Sequence, residues 1–357
     1  MPSIMTAPLT VLVADDSALY RQMLQNVLRR IDGVEVVGFA ADGREAVARA
    51  RDVRPDVITL DVHMPVMDGI AVLRALRQHG LPTKAIMVSS LTSAGSPATV
   101  EALIEGAFDY VLKPVGLDPH LAREAIRMAL AEKLSGCREA AVGRPLPKSE
   151  PGPSGRPSGA RRVALPYDAI AIGTSTGGPE ALRTLLPRLP QDLPVPVLVV
   201  QHMPPMFTAT LAARLHELSA VGVIEAAEGM VVEPGRAYVA PGGRHLRLAA
   251  RDGRVTCVID DGPARLGCRP SFNNLLESMI DLYGARLVAA VLTGMGSDGL
   301  DGCRRLRAAG GQVVAQSHET CTVYGMPKAV IEDGLAHAVL PPAALADALA
   351  TGSFGAP

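Results

Sequence analysis

One segment of this chain cannot be packed into anything compact, and it lies between two stretches that can. From Gly143 to Arg161 the sequence GRPLPKSEPGPSGRPSGAR holds five Pro, four Gly and three Ser and shows no apolar periodicity. That is the composition of a solvated tether, because no face of it could bury enough apolar surface to offset the ordering of its backbone. A chain of 357 residues has room for about two domains of roughly 150 residues each. The tether therefore predicts a first domain over 1–134, a flexible linker over 135–165 and a second domain over 166–357.

Before the tether, strand patterns at 9–14, 34–40, 56–60, 85–88 and 110–112 alternate with helix patterns starting at Ser17, Gly43, Ile70 and Pro97, and a last helix runs through Met128. Such β/α alternation predicts a doubly wound parallel sheet. After it, strands at 169–173, 195–200 and 287–292, with helices from Pro179, Phe207 and Asp298, predict a second α/β sheet. Between 223 and 259, short strand-like pieces around Glu233-Pro-Gly and Arg251-Asp-Gly predict a hairpin-rich excursion.

Composition narrows the function classes. Apolar residues make up 48% and aromatics 3%, with no Trp, so two aliphatic cores are expected. Lys plus Arg (35) balances Asp plus Glu (36); no net field would hold nucleic acid or an anionic membrane, which disfavours a DNA-binding output. The opening residues lack a basic n-region and no apolar run approaches a spanning length, so neither a signal peptide nor membrane insertion is expected. The five cysteines are scattered, with no CxxC pair, and predict reduced thiols in a cytoplasmic enzyme without a structural metal; a monomer is expected.

In an open α/β sheet, side chains ending successive strands converge. Asp15 and Asp16 end the first strand, Asp61 the third, Ser89 the fourth and Lys113 the fifth. Three carboxylates so close call for a hard cation such as Mg²⁺, and one of them can then act as nucleophile towards a phosphoryl donor while Lys113 neutralises charge. Singly, an Asp pair is a helix cap and Lys-Pro a turn; together these positions form a phosphoryl pocket. The segments VLVADDS, DVHMPVMDG, IMVSSLTS and DYVLKP resemble response-regulator receivers, with a flavodoxin-like fold, over residues 9 to 132. The resemblance implies Asp61 as phosphoacceptor, Mg²⁺ held by Asp15, Asp16 and Asp61, Ser89 and Lys113 as switch residues, and Tyr110 as a switch aromatic, for which plain core is an equal alternative. His63 departs from the acidic residue often found two positions after the phosphoacceptor in related receivers, which bears on phosphoryl lifetime and partner preference, with an exposed histidine of no special role as the alternative.

In the second half, Gly173-Thr-Ser-Thr-Gly177 satisfies G-x-S-x-G between a strand and a helix, exposing the Ser175 hydroxyl near helix N-terminal amides. A simple anion cradle or N-cap is the alternative. The strand before Gln201-His202-Met-Pro and the strand before Thr293-Gly-Met-Gly-Ser-Asp298 supply a base and its orienting carboxylate, which completes a Ser/His/Asp set for acyl transfer. The order Ser, His, Asp differs from α/β-hydrolases. The trio of motifs is similar to the catalytic domain of chemotaxis protein-glutamate methylesterases, Rossmann-like in fold, over about 167 to 350. The resemblance implies a triad of Ser175, His202 and Asp298, support from Thr176, an oxyanion-hole amide at Met295, and no cofactor for ester hydrolysis. It also implies γ-glutamyl methyl esters, and glutamines, of chemoreceptor cytoplasmic domains as substrates, and a chemotaxis-type sensor histidine kinase as phosphodonor. His245 and His318 are further candidates to line the cleft, with an ordinary surface or capping role as the alternative, and Arg269, Met295 and Phe272 to contact the receptor helix, with core or surface packing as the alternative. A receiver tethered to a hydrolase implies phosphorylation-activated hydrolysis, in its simplest form by a receiver that covers the Ser175 cleft until Asp61 is phosphorylated.

Overall fold

Alternation of buried aliphatic runs with amphipathic stretches produces the β/α order directly. The computed structural model describes residues 7–90, 95–141 and 165–354, and these fall into two compact units. In the first, β1 (Leu9–Ala14), β2 (Val34–Ala40), β3 (Val57–Asp61), β4 (Lys84–Ser90) and β5 (Asp109–Lys113) alternate with α1 (Ala18–Leu28), α2 (Gly43–Val53), α3 (Gly69–Gln78), α4 (Gly95–Ile104) and α5 (Pro119–Ala141). The sheet order is β2-β1-β3-β4-β5 and every pairing is parallel, which is the flavodoxin-like arrangement. Helix starts are set by side-chain caps: the Asp42 carboxylate accepts from the Glu45 amide and that of Asp68 from the Ala71 amide.

Two sequence expectations shift here. Asp56, expected to begin the third strand, instead precedes β3 and accepts hydrogen bonds from the Thr10 amide and hydroxyl at 2.8 and 2.6 Å. Residues 135–141, read as tether, are the last two turns of α5. The helix continues past Met128 because Leu130, Leu134 and Cys137, spaced four and three apart, are buried and carry its apolar stripe forward. The Pro/Gly/Ser segment at 143–161 lies outside the described residues.

In the second unit, β6 (Ala169–Thr174), α6 (Gly178–Leu185), β7 (Val197–Gln201), α7 (Pro205–Leu218), β8 (Gly222–Glu225) and β9 (Arg236–Val239) are followed by β10 (His245–Arg251) and β11 (Arg254–Asp260). Then come α8 (Phe272–Tyr283), β12 (Leu287–Val291), α9 (Leu300–Ala308), β13 (Gln312–Gln316), α10 (Met326–Glu332), β14 (Ala338–Leu340) and α11 (Pro342–Thr351). Seven strands form one parallel sheet in the order β14-β13-β12-β6-β7-β9-β8. Central β6, β7 and β12 are buried throughout, as strands covered on both faces must be.

The excursion expected over 223–259 is only half hairpin. β10 and β11 pair antiparallel around Asp252 and Gly253, whose φ values of 50° and 75° suit a tight two-residue turn. β8 and β9 instead extend the main sheet in parallel, because Val223, Ala237, Tyr238 and Val239 are buried and need a covered sheet edge. The core around these strands is aliphatic apart from a few aromatics, including Tyr238 and Phe272.

Candidate active site

In the first unit the polar strand ends meet as the sequence requires. Asp15 is fully buried, Asp61 and Lys113 nearly so, and Asp16 is exposed. Lys113 Nζ donates to Asp15 Oδ2 and Asp61 Oδ2 at 2.7 Å each, and lies 4.3 Å from the centre of the Tyr20 ring. Burial works against the lysine's charge, but hydrogen bonds to the two aspartates outweigh it and its pKa is raised. For Asp15 burial dominates over the Lys113 hydrogen bond and the pKa is raised. One carboxylate oxygen from each of Asp15, Asp16 and Asp61 lies within 4.8 Å of the others. Three carboxylates against one ammonium leave an excess of negative charge on all-oxygen donors, so the cluster is consistent with a Mg²⁺ site. Ser89 Oγ accepts from Thr99 Oγ1 at 2.8 Å. Tyr110 is partly buried in β5; three residues from Lys113, it lies on the opposite face of that strand, and burial raises its pKa. His63 is exposed.

In the second unit β6 has β7 on one side and β12 on the other, so the chain leaves β6 and β12 at the point where the strand order reverses, the place at which such sheets open a crevice. Ser175 follows β6 directly. Its amide donates to Thr293 O at 3.0 Å, and its carbonyl accepts from Gly178 N and from Gln201 Nε2. The bend requires glycine at 177: φ is +79° and a Cβ would run into Thr322. The register pairing Thr174 with Gln201 puts Ser175 and His202 side by side on neighbouring strand ends, whose backbones lie about 5 Å apart.

The histidine and aspartate are joined. His202 Nε2 lies 2.9 Å from Asp298 Oδ2. The other ring nitrogen, Nδ1, lies 3.6 Å from Cys268 Sγ, and Ser175 Oγ makes no hydrogen bond to it. Burial opposes charge on His202, but the bonds to Asp298 and Cys268 prevail and its pKa is pushed up to about 9.

Asp298 is buried, 3% exposed, and sits at the N-terminus of α8. Its Oδ1 accepts from Ser271 Oγ (2.8 Å), Asn273 N (3.2 Å) and Asn273 Nδ2 (2.9 Å), while Oδ2 accepts from Phe272 N (2.6 Å) as well as His202. Burial would raise its pKa; the His202 hydrogen bond and charge, with the α8 donors, outweigh this and lower it. A carboxylate at unpaired helix amides is the favourable electrostatic arrangement.

The remaining sequence candidates divide. The Met295 amide, on the loop after β12, makes no hydrogen bond among the described residues, so it is available to a developing oxyanion. Thr176 is buried and its carbonyl accepts from Thr293 Oγ1 at 2.9 Å. His245, fully buried, lies behind the site: its Nδ1 accepts from Ser271 N and its Nε2 bonds Pro263 O, both at 3.1 Å. His318 stacks edge-on against Tyr324. Phe272 is fully buried beside Gly173 and Gly299, which removes it as a receptor contact. Arg269 is exposed. Sequence reading missed Ser271 and Asn273, which hold Asp298, and Cys268, which faces the histidine. A serine ahead of the apolar pattern beginning at Phe272 marks a helix start, but nothing local shows that this start surrounds Asp298.

Among known families, that described as CheB methylesterase matches residues 170–349 and that described as response regulator receiver domain matches residues 11–126. The chain is 44% identical over 353 residues to the protein-glutamate methylesterase/protein-glutamine glutaminase of Symbiobacterium thermophilum, covering 96% of each. It is 42% identical to the protein of that name from Thermotoga maritima, over 93% of this chain and 94% of that one. The crystal structure of the Thermotoga maritima CheB methylesterase catalytic domain superposes with a TM-score of 0.51 at 43% identity, covering 52% of this chain and 97% of that one.

Proposed function

This chain belongs to the CheB methylesterase family, and from that membership we propose its chemistry: it is a receiver-regulated protein-glutamate methylesterase and protein-glutamine glutaminase acting in chemotaxis, and Ser175, His202 and Asp298 carry the reaction. The observation that supports these residues most is the 2.9 Å pair of His202 Nε2 with Asp298 Oδ2 beside Ser175 at the sheet's switch point. Asp298 holds the tautomer that protonates Nε2, so Nδ1 is the nitrogen left to act as base.

Ser175 Oγ attacks the γ-carbonyl of a methylated glutamate and gives its proton to His202 Nδ1. Asp298 stabilises the imidazolium, and the Met295 amide takes the oxyanion. Collapse breaks the C–O bond, and His202 returns the proton to the leaving oxygen as methanol departs. Water, deprotonated by the same nitrogen, then frees glutamate from the acyl-enzyme. With glutamine the same steps release ammonia. Approach of Ser175 Oγ to Nδ1 requires the ring or the hydroxyl to turn from its resting position, as hydrogen bonds in substrate-free sites commonly do.

In the receiver, Asp61 is the phosphoacceptor. Mg²⁺ held by Asp15, Asp16 and Asp61 would neutralise the incoming phosphoryl oxygens. Lys113 pairs with the phosphorylated Asp61 side chain, and Ser89, carried with Thr99, bonds the phosphoryl group; Tyr110 is a switch aromatic. The phosphodonor is a chemotaxis sensor histidine kinase and the substrates are chemoreceptor cytoplasmic domains, so the enzyme works in the cytoplasm; it is read as a monomer, with a catalytic domain from residue 166. No helix of the described residues is long and apolar enough to cross a membrane. The test is methanol release from methylated receptor fragments, with and without a small phosphodonor and Mg²⁺. Wild type should accelerate with phosphodonor, Ser175→Ala should release none, and Asp61→Asn should keep only a basal rate. A Ser175→Ala variant that retains activity would overturn the assignment.

A further inference from the structure

The contact between Cys268 and His202 is unused by ester hydrolysis, and its geometry has a chemical reading. Cys268 is partly exposed, whereas Cys137, Cys257, Cys303 and Cys321 are buried. One ligand atom from each of His202, Cys268 and Asp298 lies within 4.8 Å of the others. The Sγ to Nδ1 distance of 3.6 Å can be tested against a bridging ion. With Zn–S of about 2.3 Å and Zn–N of about 2.05 Å, that separation corresponds to an S–Zn–N angle of about 110°, the tetrahedral value. The other side of the ring agrees with this reading. A zinc-bound imidazole characteristically donates its second N–H to a carboxylate, which fixes its tautomer and orientation, and His202 Nε2 already faces Asp298 Oδ2 at 2.9 Å. Asp298 itself is engaged by Ser271, Phe272 and Asn273, so it serves as that outer partner and water completes the coordination.

We propose that Cys268 Sγ and His202 Nδ1 form an inhibitory site for a soft divalent cation, Zn²⁺ being the fitting example. Binding replaces the thiol proton with the metal and occupies the nitrogen lone pair that takes the proton of Ser175. Thiolate with imidazole selects such ions over Mg²⁺, so the receiver's cation does not compete for this site. The effect on rate rests on the esterase reading; the binding does not.

Full-length enzyme is titrated with Co²⁺ as a spectroscopic substitute for Zn²⁺, and separately assayed for methanol release over a range of Zn²⁺ with Mg²⁺ constant. The expected result is a thiolate-to-cobalt charge-transfer band, displaced by Zn²⁺, and loss of activity at saturating Zn²⁺ that a chelator restores. In Cys268→Ser the band should vanish, and half-inhibition, scored against that variant's own metal-free rate, should need at least about tenfold more Zn²⁺, since losing even an outer partner weakens a site by that much. No charge-transfer band in wild type, or an unchanged band in Cys268→Ser, overturns the site. A band lost in Cys268→Ser without inhibition of an active wild type refutes the inhibitory role, while a band from a protein inactive on every ester tested points to failure of the esterase reading instead.

Discussion

Replacing Asp298 by Asn exchanges one carboxylate oxygen for an NH₂ group and should injure both fold and chemistry. The carboxylate oxygens accept from Ser271 Oγ, Asn273 N and Asn273 Nδ2 on one side, and from Phe272 N and His202 Nε2 on the other. An amide has a single acceptor atom, so in either orientation its NH₂ faces a backbone N–H that cannot rotate away, that of Phe272 or of Asn273. A buried donor stripped of its acceptor costs about 1–3 kcal/mol, and loss of negative charge at the α8 N-terminus adds about 0.3–2 kcal/mol. The second unit should therefore lose about 1–5 kcal/mol, a drop in Tm of roughly 3–20 °C. The amide that orphans Phe272 also donates to Nε2 and drives the imidazole proton to Nδ1, where no base remains; a tautomer error of this kind lowers kcat by about 10⁴-fold in a serine protease. Thermal unfolding followed by circular dichroism and methanol release under saturating substrate read the two effects separately. A variant with unchanged Tm and a rate within about tenfold of wild type would refute the reasoning, because the five contacts and the tautomer would then have no energetic consequence.

Further outcomes are expected. With the His202 pKa pushed up to about 9, the base form is scarce at neutral pH, so kcat/KM measured with chelator present should climb with pH until about 9; a plateau reached by pH 7 would refute this. The linked stability has the sign of a raised histidine: fully present below the ordinary value of 6.5 and lost as pH rises through about 9. Gly173→Ala should drive a methyl into the Phe272 ring, destabilise the fold by about 1–3 kcal/mol in urea unfolding, and lower kcat by displacing the amide that holds Asp298. His245→Ala leaves the buried Ser271 amide without its acceptor and removes a partner from the Pro263 carbonyl, and denaturant titration should show a loss of about 2–4 kcal/mol, with kcat falling more than KM rises.

The residues that read clearly in the sequence do so for one reason. Ser175, His202, Asp298, Asp15, Asp61 and Lys113 each follow or end a buried strand, strands announce themselves by local apolar runs, and a parallel sheet gathers its strand ends at one edge. Once the strands are identified, chemistry-bearing residues behind them are neighbours by topology. The turn at Asp252-Gly253 was legible on the same local terms. What only the tertiary structure decided are relations between segments far apart in the chain with no shared period. β8 and β9 join the main sheet because of what covers them, and the last turns of α5 persist because Leu130, Leu134 and Cys137 find a core to bury in. Ser271 and Asn273 come to Asp298 from 27 and 25 residues away, and Cys268 reaches His202 across 66. Hydrogen bonds to a buried carboxylate depend on how α8 packs against β6 and β12, and packing of that range leaves no mark on the local pattern of residues.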